Sequence, residues 1–306
     1  MSDQSLGRKP AWLKVRVPGG EGYRAVRRQI TGRGLHTVCD EARCPNREEC
    51  FRQRTATVMV LGRICTRGCR FCSVVCAAQG APVDPAEPAA LARAVVELGL
   101  RYVVLTMVTR DDLPDGGAAH LARCVAAVHL AAPGVGIELL GSDFGGDPAA
   151  LAVVAHLGAT VVAHNLETVR RLTPLIRHPR SSYARSLTVL RELARLLPDE
   201  VPTKSSLMVG LGETDEEVQE ALEDLRHHGV RLVTIGQYLQ PTPRSWPVAE
   251  YLPPARFARF AAFGRRLGFD EVLAGPLVRS SFGAAELARA VAADGLPAGT
   301  DRGSER

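Results

Sequence analysis

Several broad classes of protein leave marks that this chain lacks. No stretch reaches the roughly 18 uninterrupted apolar residues of a membrane-crossing helix, so no membrane association is expected. Residues 1–10 are polar and have no apolar centre, so they do not read as a secretion signal; the expected location is cytoplasmic. The 38 Lys and Arg outnumber the 33 Asp and Glu by five, too small a surplus to indicate nucleic acid, though compatible with an acidic protein partner. There is no fixed-length repeat, low-complexity tract or oligomerisation signal, so a monomer is expected. The glycines of residues 210–217, GLGETDEE, lack the lysine and hydroxyl of a phosphate-binding loop. Thr214 and Glu217 instead have the spacing of a helix capping box.

What remains is an ordinary globular composition, with 46% of 306 residues in the hydrophobic set. From residue 55 onward, short apolar runs alternate with helical periodicity. Strands are predicted over 56–62, 102–106, 136–140, 160–164, 204–210 and 231–238. Helices are predicted over 89–99, 118–130, 147–157, 186–197, 215–229 and 253–268. Strands joined by helical crossovers imply a parallel sheet. The expected fold is therefore α/β, a partial or complete TIM-like (β/α) barrel of six parallel strands; a doubly wound sheet is the alternative that alternation alone leaves open. The division expected is an N-terminal extension over 1–54, a barrel over 55–268 and a C-terminal extension over 269–306. The N-terminal part reads as extended chain at 13–20 and a short helix at 21–30, and residues 296–306 read as a frayed tail.

Seven of the eight cysteines crowd into one stretch: Cys39, Cys44, Cys50, Cys65, Cys69, Cys72 and Cys76. Without a secretion signal, a metal or cluster site explains them better than a disulfide framework. The eighth, Cys124, lies at helical spacing among Leu121, Val125 and Val128 and reads as a small core residue. Cys65, Cys69 and Cys72 are spaced C-x3-C-x2-C directly after the first strand. Three thiolates suit three irons of a four-iron cube and leave one iron for a small molecule. A zinc knuckle is the structural alternative, and Cys76, three residues beyond Cys72, offers a fourth thiol to zinc or to a ferredoxin-like cluster. Cys39, Cys44 and Cys50, spaced C-x4-C-x5-C, form a second triad that fits either a second cube or a structural metal.

The first triad resembles the signature of the radical S-adenosylmethionine superfamily, with Phe71 where that family places an aromatic. The chain as a whole is similar to the lipoyl synthase family, from KPAWLKVRVPGG through LHTVCDEARCPN, VTRDDLPDGGA, HNLETV, PTKSSLMVGLGETDEE and IGQYLQP to GPLVRSSFGA. The resemblance implies two [4Fe-4S] clusters: a radical cluster on Cys65, Cys69 and Cys72, and an auxiliary cluster on Cys39, Cys44, Cys50 and Ser281. It also implies S-adenosylmethionine, two consumed per lipoyl group, and insertion of sulfur at C6 and C8 of an octanoyl chain carried on a protein lysine. The auxiliary cluster is the implied sulfur source. The implied partners are octanoylated lipoyl carrier domains or the glycine-cleavage H protein, a low-potential electron donor, and an iron–sulfur assembly or carrier protein.

Ser281 reads alternatively as the N-cap of a helix starting near Ala284. Arg279, which has the reach to gate the auxiliary site, reads alternatively as a surface salt bridge. A second R-S-S-Y at 180–183 lacks the GPLV lead-in and is set aside. Asn165, at the end of a predicted strand where βα-barrels place their chemistry, is a candidate cofactor contact. Glu138, Lys204 and Gln237 are further candidates; Lys204 has the chemistry to meet a carboxylate, and His164 reads equally as a packed histidine. Two departures from the family pattern stand out: the loop SVVCAAQGAP after the first triad, and Phe282 in place of a tyrosine. Another radical sulfur-transfer enzyme, such as a methylthiotransferase, and a two-cluster electron carrier are the competing functions.

Overall fold

The computed structural model describes residues 9–14, 36–37, 46, 49–50 and 53–294. The predicted helix at 21–30, most of the extended run at 13–20, Cys39, Cys44 and the tail at 296–306 lie outside the described residues. Ala11–Leu13 forms a single 3-10 turn.

The sheet begins with β1 (His36–Thr37), which runs antiparallel to β2 (Thr55–Val60). The remaining strands are parallel and adjacent in chain order: β2, β5 (Tyr102–Met107), β6 (Gly136–Leu140), β7 (Val161–Ala163), β8 (Thr203–Val209), β9 (Leu232–Gln237) and β10 (Glu271–Gly275). A doubly wound sheet reverses its strand order part-way. This order never reverses, so the sheet curls in one sense as a βα-barrel does. It does not close: among the described residues the far edge of β2 carries β1 rather than β10. A two-strand ribbon, β3 (Ile64–Cys65) and β4 (Val75–Cys76), stands apart from the sheet.

The outer layer is α1 (Glu87–Glu97), α2 (Ala118–Ala131), α3 (Pro148–Ala155), the single turn α4 (Thr173–Ile176), α5 (Tyr183–Leu196), α6 (Asp215–His227) and α7 (Pro254–Arg266); the last helix, α8 (Ala284–Asp294), packs against the inner face of the sheet instead. The expected capping box is present on α6: Thr214 Oγ1 accepts from Glu217 N at 3.3 Å, and the Glu217 carboxylate accepts from Thr214 N at 2.9 Å. Two large apolar clusters lie between sheet and helices, one behind β2, β5 and β6 and one behind β8 and β9. Cys124 is fully buried in the first, as a small core residue.

Among the described residues the sheet has seven parallel strands, not six. The seventh, β10, lies beyond residue 268, so the barrel reaches into the segment read as a C-terminal extension. Only Val272 of its five residues is buried, which leaves almost no apolar run to announce a strand. The small residues Ala284 and Ala288 of α8 pack with Tyr102, Val104, Val161 and Leu232 on the inward-facing side of the strands.

Period-2 alternation decides what faces inward. Ile137 and Leu139 join the helix-side core, which turns Glu138 into the barrel; by the same argument Lys204 faces inward from β8. Both are 1% exposed, and Lys204 Nζ donates to both carboxylate oxygens of Glu138 at 2.9 and 3.0 Å. Burial pushes the Glu138 carboxyl above its ordinary value, and the Lys204 charge opposes that push. Removing one member of such a pair leaves a buried charge unpaired. Lys204→Met is therefore expected to destabilise the protein by about 3–5 kcal/mol at neutral pH. The deficit should shrink as pH falls, because a protonated Glu138 needs no counter-ion. Urea unfolding across pH measures this, with Glu138→Leu/Lys204→Met expected to recover most of the loss.

Candidate functional site

A cavity of about 570 Å³ opens at the C-terminal ends of the strands. Its floor includes inward-facing Thr57, level with Glu138 in the strand register, Thr106, two residues beyond the Glu138 partner Val104, and Ser206, two residues beyond Lys204. Cys65, Cys69 and Cys72 share its wall. Each sulfur accepts a backbone N–H: Cys65 from Arg67 at 3.4 Å, Cys69 from His178 at 3.3 Å and Cys72 from Val74 at 3.4 Å. Burial pushes the Cys69 thiol up and the Cys72 thiol up to about 12. As free thiols these two are protonated at neutral pH, so a metal binding them displaces protons.

Cys76 does not lie on this wall. It sits opposite Cys65 in the β3–β4 ribbon, and its sulfur is 3.3 Å from where a Cβ on Gly68 would stand. It is exposed to solvent and is not among the residues that line the cavity. The wall thus offers three thiols of this motif and not four, which fits a cube with one iron free of protein ligands. Arg177 supplies a second sign of fit. Its Nη1 donates to Leu166 O at 3.2 Å and Ser186 Oγ at 2.8 Å, but its buried Nε–H has no partner among the described residues. An unpaired guanidinium donor on a cavity wall suits a carboxylate or another acceptor of a bound small molecule.

Arg67, inside the cysteine motif, fixes the loop to the barrel. Its side chain is 4% exposed, and its guanidinium donates twice to Asp111, at 2.9 and 2.7 Å. Nη1 donates to Asp143 at 2.7 Å and to Ser181 Oγ at 3.1 Å. Asp111 follows β5 and Asp143 follows β6, so one side chain joins three loops. The Arg67 hydrogen bond holds the Asp111 carboxyl below its ordinary value. At Asp143, burial pushes upward, but hydrogen bonding and charge from Arg67 prevail and the carboxyl is lowered.

The sequence candidates separate into distinct groups. Asn165 is on the cavity wall and donates to Glu167 Oε1 at 3.1 Å. Glu167 holds a left-handed backbone, φ 72°, at the same wall. His164 also borders the cavity, but is a packed histidine: Nδ1–H donates to Gly141 O at 3.1 Å, and Nε2 accepts from Ser186 Oγ at 3.0 Å. Burial, then the nearby Arg177 charge, lowers its pKa to about 4, so it is neutral. Gln237 reaches the cavity, but its amide is engaged elsewhere: Nε2 donates to the carbonyls of Val209, Tyr238 and Glu250, and Oε1 accepts from Leu252 N. Glu138 and Lys204 hold each other below the floor and are not wall residues.

Of the second triad, Cys50 is described and lies on the cavity wall, as do Arg279 and Ser281. Cys39 and Cys44 lie outside the described residues. Asn46 Nδ2 donates to Leu277 O at 2.6 Å, across 231 residues of chain, and Cys50 N donates to Asn46 O at 3.0 Å. This bond brings the segment carrying Cys50 to the segment carrying Ser281. The C-terminal segment crosses the mouth close to β9, where a Cβ on Gly236 would come within 2.1 Å of Val278 O. Arg279 Nη1 donates to Val278 O at 2.6 Å and Gln237 O at 3.4 Å. The other R-S-S motif also reaches the cavity, but Ser181 is engaged with Arg67 and Ser182 caps α5.

Residues 59–225 match the Radical SAM superfamily, and residues 2–44 match the N-terminal domain of lipoyl synthase of the Radical SAM family. The chain is 54% identical over 280 residues to the lipoyl synthase of Anaeromyxobacter dehalogenans, covering 92% of this chain and 95% of that one. It is 53% identical over 274 residues to the lipoyl synthase of Thermus thermophilus, covering 90% and 84%. The chain belongs to the lipoyl synthase family. As a lipoyl synthase family member it is a sulfurtransferase that uses S-adenosylmethionine and [4Fe-4S] chemistry. Solved structures share its fold at low identity: methylornithine synthase (14%, TM-score 0.54, 82% of this chain and 81% of that) and the [FeFe]-hydrogenase maturase HydG (12%, TM-score 0.58, 90% and 72%). No helix among the described residues is long and apolar enough to cross a membrane.

Arg67, Asp143, Glu167 and Arg177 on the wall, and Asp111 behind Arg67, are residues that sequence reasoning missed. Arg67 lies inside the motif, but nothing in its spacing names partners 44 and 76 residues away. Arg67→Ala should leave the buried Asp143 carboxylate without its counter-ion and Asp111 with only the 3.4 Å contact to Arg180, and destabilise the cluster-free protein by about 3 kcal/mol at neutral pH. Because both partner carboxyls are lowered when folded, the wild-type advantage should be full above the ordinary aspartate range. It should be lost as pH falls through the lowered values. Guanidinium unfolding of both proteins between neutral and acid pH measures the difference.

Proposed function

We propose that this lipoyl synthase inserts two sulfur atoms at C6 and C8 of a protein-bound octanoyl-lysine, with Cys65, Cys69 and Cys72 holding the radical cluster. Cys39, Cys44, Cys50 and Ser281 hold the auxiliary cluster in this reading, which serves as sulfur donor. The observation that carries the proposal is that one cavity has the first triad, Cys50 and Ser281 on its wall. When bound, the clusters and S-adenosylmethionine supply the electron, the hydrogen-abstracting radical and the sulfide that unactivated C–H bonds require.

The protein's share is distance, orientation and dryness. The Arg177 Nε–H and the Asn165 side chain are donors for the polar end of S-adenosylmethionine; Glu167 orients Asn165 by accepting its amide proton. Met59, Met107 and Leu140 provide an apolar wall for an acyl chain, and Phe71 and Phe282 narrow the space beside the cysteines. Glu138 and Lys204 support the floor and touch the cofactor only indirectly; Gln237 does the same for the rim. Arg279 holds the Ser281 segment against β9. Ser281 offers a hydroxyl oxygen, a harder donor than a thiolate and more readily displaced when sulfide leaves.

Three parts divide this work: residues 1–54 carry the auxiliary cysteines, the barrel starting at 55 carries the radical site, and the segment after the last strand brings Ser281. The substrate arrives on an octanoylated lipoyl carrier domain or the glycine-cleavage H protein. A low-potential electron donor and an iron–sulfur carrier complete the set of partners, with a monomer working in the cytoplasm.

The test is parallel mass spectrometry of 5′-deoxyadenosine and lipoyl product from reconstituted protein and an octanoyl-lysine peptide. Wild type should yield both. Ser281→Ala should keep 5′-deoxyadenosine formation but lower lipoyl product by about a hundredfold, the upper range for a perturbed metal site. Undiminished lipoyl formation in that variant would remove Ser281 from the auxiliary site. A methylthiolated product would assign the chain to a different sulfur transfer.

A further inference from the structure

The chain leaves β2 through a conformation that costs free energy. Leu61 holds φ 68° and Gly62 φ 79°, and Cys65 follows three residues later. Glycine accepts left-handed backbone freely, and a Cβ on Gly62 would meet nothing within 4 Å, so that position asks only for the dihedral. Leucine does not accept it, and a bulky residue held there marks a place where the surroundings dictate the backbone.

Three elements dictate it. Leu61 N donates to Glu87 Oε2 of α1 at 2.9 Å. Leu61 O accepts a long 3.4 Å bond from Arg110 Nη1, in the loop after β5. The leucine side chain fills a gap that exists because residue 117 is glycine: a Cβ there would stand 2.4 Å from Leu61 Cδ1. Glu87 is itself gripped, since His120 Nε2 of α2 lies 2.6 Å from the same oxygen.

Glu87, His120 and Cys124 place three ligand-type atoms within 4.8 Å of one another, all buried. The hydrogen bonding explains them without a metal. Arg123 Nη2 is 3.1 Å from His120 Nδ1, and a guanidinium only donates, so Nδ1 accepts and the ring proton sits on Nε2, facing Glu87. Glu87 Oε2 therefore accepts from both Leu61 N–H and His120 Nε2–H. Nothing in the chemistry described for the cavity uses this cluster; among the described residues its hydrogen-bonded link to the site is Leu61, from which the cysteine loop departs.

We infer that Glu87, oriented by His120, is a positioning residue for the radical-cluster loop: it holds Leu61 in the left-handed turn that aims Cys65, Cys69 and Cys72 at the cavity. This rests on the proposal that those cysteines carry the radical cluster. A neutral amide oxygen accepts the same two hydrogen bonds, so Glu87→Gln keeps the grip. Glu87→Ala leaves Leu61 N–H buried without an acceptor and the strained turn without its main support.

Hydrogen exchange followed by mass spectrometry, in both cluster-free and reconstituted protein, reads the turn directly. Iron release from reconstituted protein to a chelator, and the electron paramagnetic resonance signal of the reduced cluster with S-adenosylmethionine, read its consequence. Glu87→Ala should speed exchange in peptides covering Leu61 by about tenfold, the loss of one buried hydrogen bond. It should speed iron release by a similar factor and broaden or shift the cofactor-induced signal. Glu87→Gln should stay within about threefold of wild type on every readout. Exchange that rises equally across the whole barrel in Glu87→Ala would reduce Glu87 to general stability and overturn the inference. So would faster exchange at Leu61 with unchanged iron release and signal. If wild type itself holds no iron on Cys65, Cys69 and Cys72, the radical-cluster assignment fails first. The exchange data on cluster-free protein would still show whether Glu87 grips Leu61.

Discussion

The Arg67 guanidinium, buried between Asp111 and Asp143, is the interaction on which the site's geometry depends. A cysteine loop of eight residues has no core of its own, and its shape must be imposed from outside. Arg67 does this from within the motif, tying the loop to the ends of β5 and β6 and to Ser181. An arginine is needed because a planar fork meets one carboxylate with two donors and still reaches a second. The same clamp keeps two carboxylates ionised and paired beside the cavity, where unpaired charge would otherwise compete for whatever binds there.

The barrel sets the second constraint. Because β2 to β10 follow one another without reversal, every strand delivers its C-terminal end to the same face, and the loops carrying chemistry converge there. The interior below is filled by the Glu138–Lys204 pair and by α8, so the cavity is a shallow chamber with a firm floor. The open side of the barrel carries β1, and the C-terminal segment crosses the mouth over Gly236. The Asn46–Leu277 hydrogen bond then joins the two ends of the chain where Cys50 and Ser281 face one cavity.

Much of this was legible in the residues. Alternating apolar runs exposed six strands because each buries most of its residues, and β10 escaped because it buries one. Cysteine spacing named the first triad, since thiols on one short loop need no long-range information. Cys76 stayed ambiguous in sequence because its distance along the chain equals that of a ligand; only the fold shows that it does not line the cavity. Glu138 and Lys204 were legible as candidate polar groups, Lys204 with the chemistry to meet a carboxylate, but that this carboxylate is Glu138, 66 residues away, was not, and the pairing draws both away from the cavity wall. Arg67, Arg177 and Glu167 carry no local pattern at all; their meaning lies in partners that the fold brings together.

In the proposed function one cavity unites a radical-generating site and a sulfur-donating site. Anomalous diffraction at the iron edge, from crystals of fully reconstituted protein, is the decisive measurement. Two separate four-iron peaks facing the same chamber are expected. One should touch Cys65, Cys69 and Cys72 and keep an iron free of protein atoms; the other should touch Cys39, Cys44, Cys50 and Ser281. A single peak, or a first peak whose fourth iron is bound by Cys76, would contradict it.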